Sequence, residues 1–575
     1  MIRFPLSSIS LWFAAAACWS VPFLVASHTY PIPTFYSEFA GAICWVVLAV
    51  FVLGTSWREK VVFPVGALAP VALALVILVQ LIVATPVNPF YSFAAIAFLL
   101  AAAAAIGLGA RCRGIPGALR AVAIGVLAGG MLTVAIELLQ LFRVPGLPDI
   151  LVSIAPTGLD RRMWGNLNQP NHVASYLGFS LAACVYLLNR AKVLRVVLAA
   201  CVLMLLIGMA LTFSRTAWIH IGIVGVLTGL LAWNKQPGAR KGWAIAIPVL
   251  LLLAYQGCNW LLSYASALWD LGLPTSLAAR MEHGVSDRMP IWRHAWHMFM
   301  TSPWLGGGWG DYAWNQYVQT DVLGPVLMSL NAHNAILDLL AKAGILGLLA
   351  VLLPLVGLVR VVLRTPFTSA QVFMYTAILV TSAHSMLEYP LHYLFFLLPF
   401  AFALGYVDDR PLRFPSADMA WTLTGVVAVC GAVLTGRLWV DYKPIEQFYY
   451  QQGDARGALQ RYQANKQLLL VPYANLSIAN NALVTYELAP VLAAIEHQAV
   501  QFYPSSGPVQ RWAVALALQG KTDEAVLQVR RLRDEYSGEY AGASPLITHV
   551  CKVKMVGLTE FCARLKTEHL LVNVD

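Results

Sequence analysis

Five short segments of this 575-residue chain carry side chains able to hold an anion or move a proton, four at the ends of apolar runs and one within a long gap between them. The first is Asn166-Leu167-Asn168-Gln169-Pro170-Asn171-His172. Four amides and an imidazole packed this closely are costly beside lipid unless they hydrogen-bond, and one helix cap needs only one of them. Asn168, Gln169 and Asn171 are therefore candidate contacts for a polar ligand. The plainer reading is an N-cap and turn with Pro170 as punctuation. The second segment, Thr212-Phe213-Ser214-Arg215-Thr216, puts Arg215 between two long apolar runs, as either a snorkelling anchor or an anion ligand.

Arg280, Arg288 and Arg293 form the third segment, followed by the glycine-rich Pro303–Gly310. Guanidinium forks bind phosphate bidentately, and glycines let backbone N–H groups approach the same oxygens. No Lys-Ser/Thr follows to make a nucleotide loop, so a tight turn explains the glycines equally well. The fourth segment, Asn331-Ala332-His333-Asn334, offers an imidazole that accepts a proton near neutral pH. Alone, His333 reads as a cap or interfacial residue. In the company of arginines able to bind an anionic leaving group, it becomes a candidate base, with Asn334 as a binding neighbour. The last segment, Ser382–Tyr393, adds Glu388, Tyr389 and His392 as candidate ligand contacts or as a polar, aromatic belt.

The elements that must position these residues are membrane spans. The chain is 59% apolar and 11% charged, against roughly 25% charged in an average soluble domain. Runs long enough to cross a bilayer core, about 20 residues, recur about thirteen times between 9–27 and 419–439. The composition is that of an all-α polytopic membrane protein. A net charge of +10 does not indicate nucleic acid here, because basic residues of membrane proteins anchor cytoplasmic loops. Sixteen fall in one set of alternating gaps, from Arg3 to Arg413. The other set holds seven: Arg143, Arg161, Arg162, Arg215, Arg280, Arg288 and Arg293. The bias places the N-terminus in the cytoplasm, the five segments outside and, after an odd number of crossings, the tail outside. The first run lacks a convincing cleavage site and reads as an uncleaved span.

Two external gaps are long, 143–173 and 263–335, and their Trp, Gly, Pro and Arg content marks ordered caps rather than linkers. Within the second, Met289, Trp292, Trp296 and Phe299 recur at helical spacing, predicting an amphipathic interfacial helix. Residues 1–440 thus form a transmembrane bundle, and 441–575 has the composition of a soluble helical domain. There QGDARGAL (452–459) and QGKTDEAV (519–526) share a Gly-then-Ala turn, with Gly453 and Gly520 67 residues apart. That is close to twice the roughly 34-residue tetratricopeptide (TPR) period, so a TPR-like array is expected, although any helical domain with short turns would match as well. Cys551 and Cys562 lie in this tail, where an oxidising compartment permits a disulfide. No metal-ligand spacing stands out and external carboxylates are scarce. Metal-independent, cofactor-free chemistry is expected.

The chain resembles the O-antigen ligase/polymerase superfamily, and within it the bacterial protein O-oligosaccharyltransferases. The resemblance rests on WGNLNQPNHVASYL (164–177), TFSRTAW (212–218), SDRMPIWRHAWHMFMTSPWLGGGWGDY (286–312), NAHNAILDLLAKAGILG (331–347) and HSMLEYPLHY (384–393). The Arg and His-Asn motifs are shared across the superfamily, and Asn-Gln-Pro-Asn and Glu-Tyr-Pro-Leu resemble the protein-glycosylating branch. The resemblance implies an undecaprenyl-diphosphate-linked oligosaccharide as donor and a periplasmic or pilin-like protein as acceptor, meeting at the periplasmic face of the inner membrane. It further implies that Arg215 and Arg288 hold the diphosphate while His333 orients or deprotonates a Ser/Thr hydroxyl. O-antigen ligation to lipid A-core, O-antigen polymerisation and non-catalytic transport of a lipid-linked glycan remain alternatives.

Overall fold

The computed structural model describes residues 6–55, 63–158, 160–188, 195–235, 241–274, 288–412, 417–450 and 469–572, with positions 457, 460 and 464 between the last two. Among these the chain is helical, and its only β-type pairing is an isolated bridge between Pro64 and Pro411. In chain order come α1 (Leu6–Cys18), α2 (Phe35–Thr55), α3 (Leu68–Val83), α4 (Pro89–Cys112), α5 (Ala118–Leu141), α6 (Pro170–Leu188), α7 (Arg195–Leu211) and α8 (Arg215–Lys235). They continue as α9 (Lys241–Trp269), α10 (Arg288–Thr301), α11 (Tyr312–Leu323), α12 (Ala335–Val356), α13 (Leu358–Arg364), α14 (Ser369–Ser385), α15 (Leu394–Val407) and α16 (Ala417–Tyr450). Nine helices among the described residues are long and apolar enough to cross a membrane, and three shorter apolar helices accompany them.

The centre of the bundle is α6. Of its apolar window 83% is buried, against 11% in the spans Ala335–Arg364 and Thr422–Tyr450. Helices α5, α7, α8 and α14 surround it. Its polar groups are satisfied by facing carbonyls, as a low-dielectric interior requires: Ser180 Oγ donates to Val126 O (3.0 Å) and Tyr176 Oη to Trp19 O (3.1 Å). Elsewhere small residues allow close approach. Gly109 of α4 and Gly405 of α15 lie against the carbonyls of Phe402 and Ile106, so a Cβ at either would overlap backbone.

The glycine-rich stretch after α10 is a packing device. Helix α12 breaks at Gly344 (φ 64°), and Gly307 N donates to Ala341 O (2.8 Å) while Ile345 N donates to Pro303 O (2.9 Å). Gln80 of α3 stitches the same place, donating to Leu305 O and Lys342 O and accepting from Trp309 N. Of the two readings of these glycines, the structure supports the turn.

Beyond α16, helices Val471–Asn481, Ala489–Phe502, Ser506–Leu518 and Thr522–Glu535 pack in sequence, followed by three shorter ones. The 452–459 string that suggested a repeat lies almost wholly outside the described residues. This helical region docks on α11 and the strand-less stretch after it. Tyr317 is fully buried in the tail's core and donates to Gln528 Oε1 (2.8 Å), Arg531 pairs with Asp321, and Val326 N donates to Asp534 O (3.0 Å). Cys551 and Cys562 form a disulfide between helices Pro545–Lys552 and Thr559–Thr567. Two outcomes are expected. Gly405→Leu should destabilise the detergent-solubilised protein by about 3 kcal/mol, since the added side chain meets the Ile106 backbone. Gly222→Ala, with nothing within 4 Å of its Cβ, should leave the thermal midpoint unchanged. In the second, denaturation without reductant should expose neither Cys551 nor Cys562 to maleimide.

Candidate active site

The polar segments meet around one carboxylate. Glu388, just beyond α14, accepts from Gln169 Nε2 through Oε2 (2.7 Å), from Asn171 Nδ2 through Oε1, and lies 3.0 Å from His384 Nε2. His384 in turn bonds Ser175 Oγ through Nδ1 (2.8 Å). Asn171 spends its other end on α8's N-terminus: Oδ1 accepts from Ser214 Oγ (2.6 Å) and Arg162 Nη2 (3.2 Å). Burial would raise the Glu388 carboxyl, but the hydrogen bond and charge of His384, with the bond from Asn171, outweigh it and hold the group at about 2. Glu388 is therefore ionised and committed as an acceptor.

In the amide-rich segment the structure shows a helix cap and partners for Glu388. Gln169 caps α6, its Oε1 accepting from His172 N (2.8 Å), while its amino end serves Glu388. Asn168, in a left-handed turn (φ 54°), is exposed and outside these bonds.

One of the cations reaches the same carboxylate, and a second stands beside it. Arg288, first residue of α10, is half-buried and feels the charges of both Glu388 and Arg215; Arg215, first residue of α8, is exposed at the site's edge. His333 lies against Tyr389, ring centroids 5.1 Å apart and nearly perpendicular. Its Nδ1 is buried without a hydrogen-bond partner among the described residues. Burial lowers the His333 pKa; Glu388 and Asp338 partly oppose this, while Arg288 and Lys342 reinforce it, leaving the net value below the ordinary histidine one. A neutral imidazole beside the Arg288 guanidinium, with Arg215 on the far side of Arg288, can accept a proton while the arginines hold an anion.

His333 is held by a second, buried network that the sequence reading missed. Asp338 Oδ1 accepts from Ala332 N (2.8 Å), and Oδ2 lies 3.0 Å from both Lys342 Nζ and His392 Nε2. Lys342 Nζ also donates to Asn331 Oδ1. The signal was present: an Asp and a Lys four apart inside an apolar span are too costly to be idle. Asn334, expected as a binding residue, is the N-cap of α12, accepting from Ile336 N (3.2 Å) and Leu337 N (3.1 Å). His392, expected as a ligand contact, faces Asp338 instead. Arg280 lies outside the described residues.

His172, His384 and Glu388 place ligand atoms within 4.8 Å of one another, the spacing of a metal site. Both Glu388 oxygens and both His384 nitrogens are engaged as described, so a cation would have to displace that network.

Three family models match segments of the chain. Residues 163–188 match the family model described as protein glycosylation ligase, 199–352 that of O-antigen ligase, and 372–546 that of the virulence factor membrane-bound polymerase C-terminal region. The general O-oligosaccharyltransferase of Acinetobacter baylyi is 25% identical over 297 residues, covering 49% of this chain and 50% of the relative. The ComP-specific O-oligosaccharyltransferase of the same organism is 26% identical over 273 residues, 44% and 45% respectively. The chain thus spans about half the length of the curated relatives it matches. The three family models fall in order along the segments that build the Glu388 site, and the chain is thus similar to O-antigen ligases and, within that similarity, to the protein O-oligosaccharyltransferases.

Proposed function

We propose that the protein transfers an oligosaccharide from an undecaprenyl-diphosphate carrier to Ser/Thr hydroxyls of periplasmic or pilin-like proteins, without a metal or cofactor. The observation that carries this reading is the clustering, at the ends of α8, α10, α12 and α14, of Arg288 with Arg215 on one side and with His333 and Glu388 on the other. In the proposed step the acceptor oxygen bonds to the anomeric carbon, the bond from that carbon to the diphosphate oxygen breaks, and the acceptor proton passes to His333. Diphosphate leaves with the bonding pair, its charge held by Arg215 and Arg288. Direct displacement inverts the anomeric centre. Tyr389, and Gln169 with Asn171 on their Glu388 anchor, border the space in which sugar or acceptor would lie.

The topology belongs to the same proposal. Thirteen crossings with a cytoplasmic N-terminus put the site and the TPR-like tail, 441–575, in the periplasm of an inner-membrane protein; the basic-residue asymmetry and the tail disulfide support that orientation. Ligation to lipid A-core is a second reading, favoured by the O-antigen ligase match over 199–352. A deletion strain that loses Ser/Thr-linked glycan from periplasmic proteins but keeps intact lipopolysaccharide would support the first reading and exclude the second.

Two site predictions follow from the chemistry. Arg215→Lys and Arg288→Lys should each impair transfer at matched membrane abundance, because lysine keeps the charge and loses the bidentate fork; Arg364→Lys, at the opposite end of its span, serves as control. Wild-type transfer in both would remove the arginines from diphosphate binding. His333→Ala should reduce transfer about 10²–10⁴-fold. Because the base acts when neutral and its pKa is depressed, activity in the wild type should persist as pH falls to the usual histidine range, about 6.5, and be lost only below it. An acid limb above that value would contradict a buried, arginine-flanked His333.

A further inference from the structure

We infer that Asp338 and Lys342 are positioning residues for His333, a buried ion pair that fixes the backbone and sets the electrostatic surroundings of the base. The inference rests on the proposed transfer reaction. His333 adopts φ 52°, a left-handed conformation that a residue bearing a Cβ rarely holds unaided. Every neighbour in the chain is tied down. Asn331 is held by Lys342 Nζ, Ala332 by Asp338 Oδ1, and Asn334 by its capping bonds and by its carbonyl, which accepts from Asp338 N (2.8 Å). Ser329 adds a bond from its hydroxyl to Asn331 O (2.7 Å), and its own N–H goes to Gln316 of α11 (2.8 Å).

The pair is deeply enclosed, with side-chain exposures of 3% for Lys342 and 8% for Asp338. Tyr312 and Trp309 close over the ammonium, 5.3 and 5.7 Å from their ring centres. His392, a third exposed, bonds Asp338 from the other side and sits beside Tyr389, which contacts His333. A buried pair of this kind seldom adds stability over an apolar pair of the same volume. What it does here is strap a strained turn and balance two opposite charges next to the base. The charged and titratable groups facing His333 are Arg288 from α10, Asp338 and Lys342 from α12, and Glu388 with Tyr389 from the turn after α14.

The two members of the pair act on His333 with opposite sign. Asp338→Asn leaves Lys342 uncompensated, disfavours the protonated imidazole and should move the acid limb of kcat to lower pH. Lys342→Met leaves Asp338 uncompensated and should move it to higher pH. A residue that mattered only for folding would lower activity without moving the limbs apart. The test uses the full-length protein in proteoliposomes, with an undecaprenyl-diphosphate-linked trisaccharide as donor and a Ser-rich pilin-like acceptor. Asp338→Asn should lower kcat about 10²-fold, the scale of a misplaced catalytic group, with donor KM changed less than about threefold. Asp338→Leu/Lys342→Met removes both charges; it should stay folded and still lose kcat to a similar extent. His392→Leu, at a part-exposed position, should lower kcat several-fold, and His392→Gln, which keeps a donor toward Asp338, should restore most of it. Wild-type kcat in the folded double variant, limbs that move together, or equal rates for His392→Leu and His392→Gln would each overturn the inference. A wild-type protein inactive with this donor and acceptor would instead remove the reading on which the inference stands.

Discussion

A single carboxylate has to be paid for in a place where charge is expensive, and the arrangement of the site follows from how that is done. Glu388 is enclosed at the mouth of the bundle, and an isolated carboxylate there would cost several kcal/mol. Gln169, Asn171 and His384 satisfy it, and each comes from a different constraint. Gln169 must cap α6, Asn171 must reach Ser214 ahead of α8, and His384 must stay one helical turn before Glu388 while bonding Ser175. The starts of α6 and α8 are thereby registered against the end of α14. Arg215 stands where it does because Ser214, the residue before it, is bonded to Asn171.

A second carboxylate organises the other half. Asp338 ties the turn 331–334 to α12, and the break in α12 at Gly344 lets the glycine-rich stretch seat beneath it. Gln80 bonds to both sides of that contact. The helical tail reaches the same region, since Tyr317 and Asp321 of α11 anchor it and Gln316 of α11 holds Ser329. The element that presents His333 is thus continuous, through α11, with the tail.

Much of this was legible because polar residues near lipid are informative. The helical architecture and the apolar spans could be read from composition, and the polar segments that meet around Glu388 stand out at span ends. What the sequence did not reveal was pairing. Nothing in Asn-Gln-Pro-Asn says that its amides serve a carboxylate more than 200 positions away, as Gln169 and Asn171 do. Asn334 caps a helix and His392 faces Asp338, partners that a polar side chain does not disclose in sequence. Asp338 and Lys342 were passed over inside an apolar run, although their cost there was the clue. The glycine run invited a phosphate reading and proved to be the close-packing partner of a kinked helix.

The central claim is that four separate helix ends make one anion-binding, proton-accepting pocket. The most direct measurement is a cryo-electron microscopy structure of the protein in nanodiscs with undecaprenyl diphosphate bound. The account predicts diphosphate density within hydrogen-bonding distance of both Arg215 and Arg288, with its sugar-bearing oxygen facing His333 and Tyr389. Diphosphate bound away from these arginines, or with its leaving oxygen turned from His333, would contradict it.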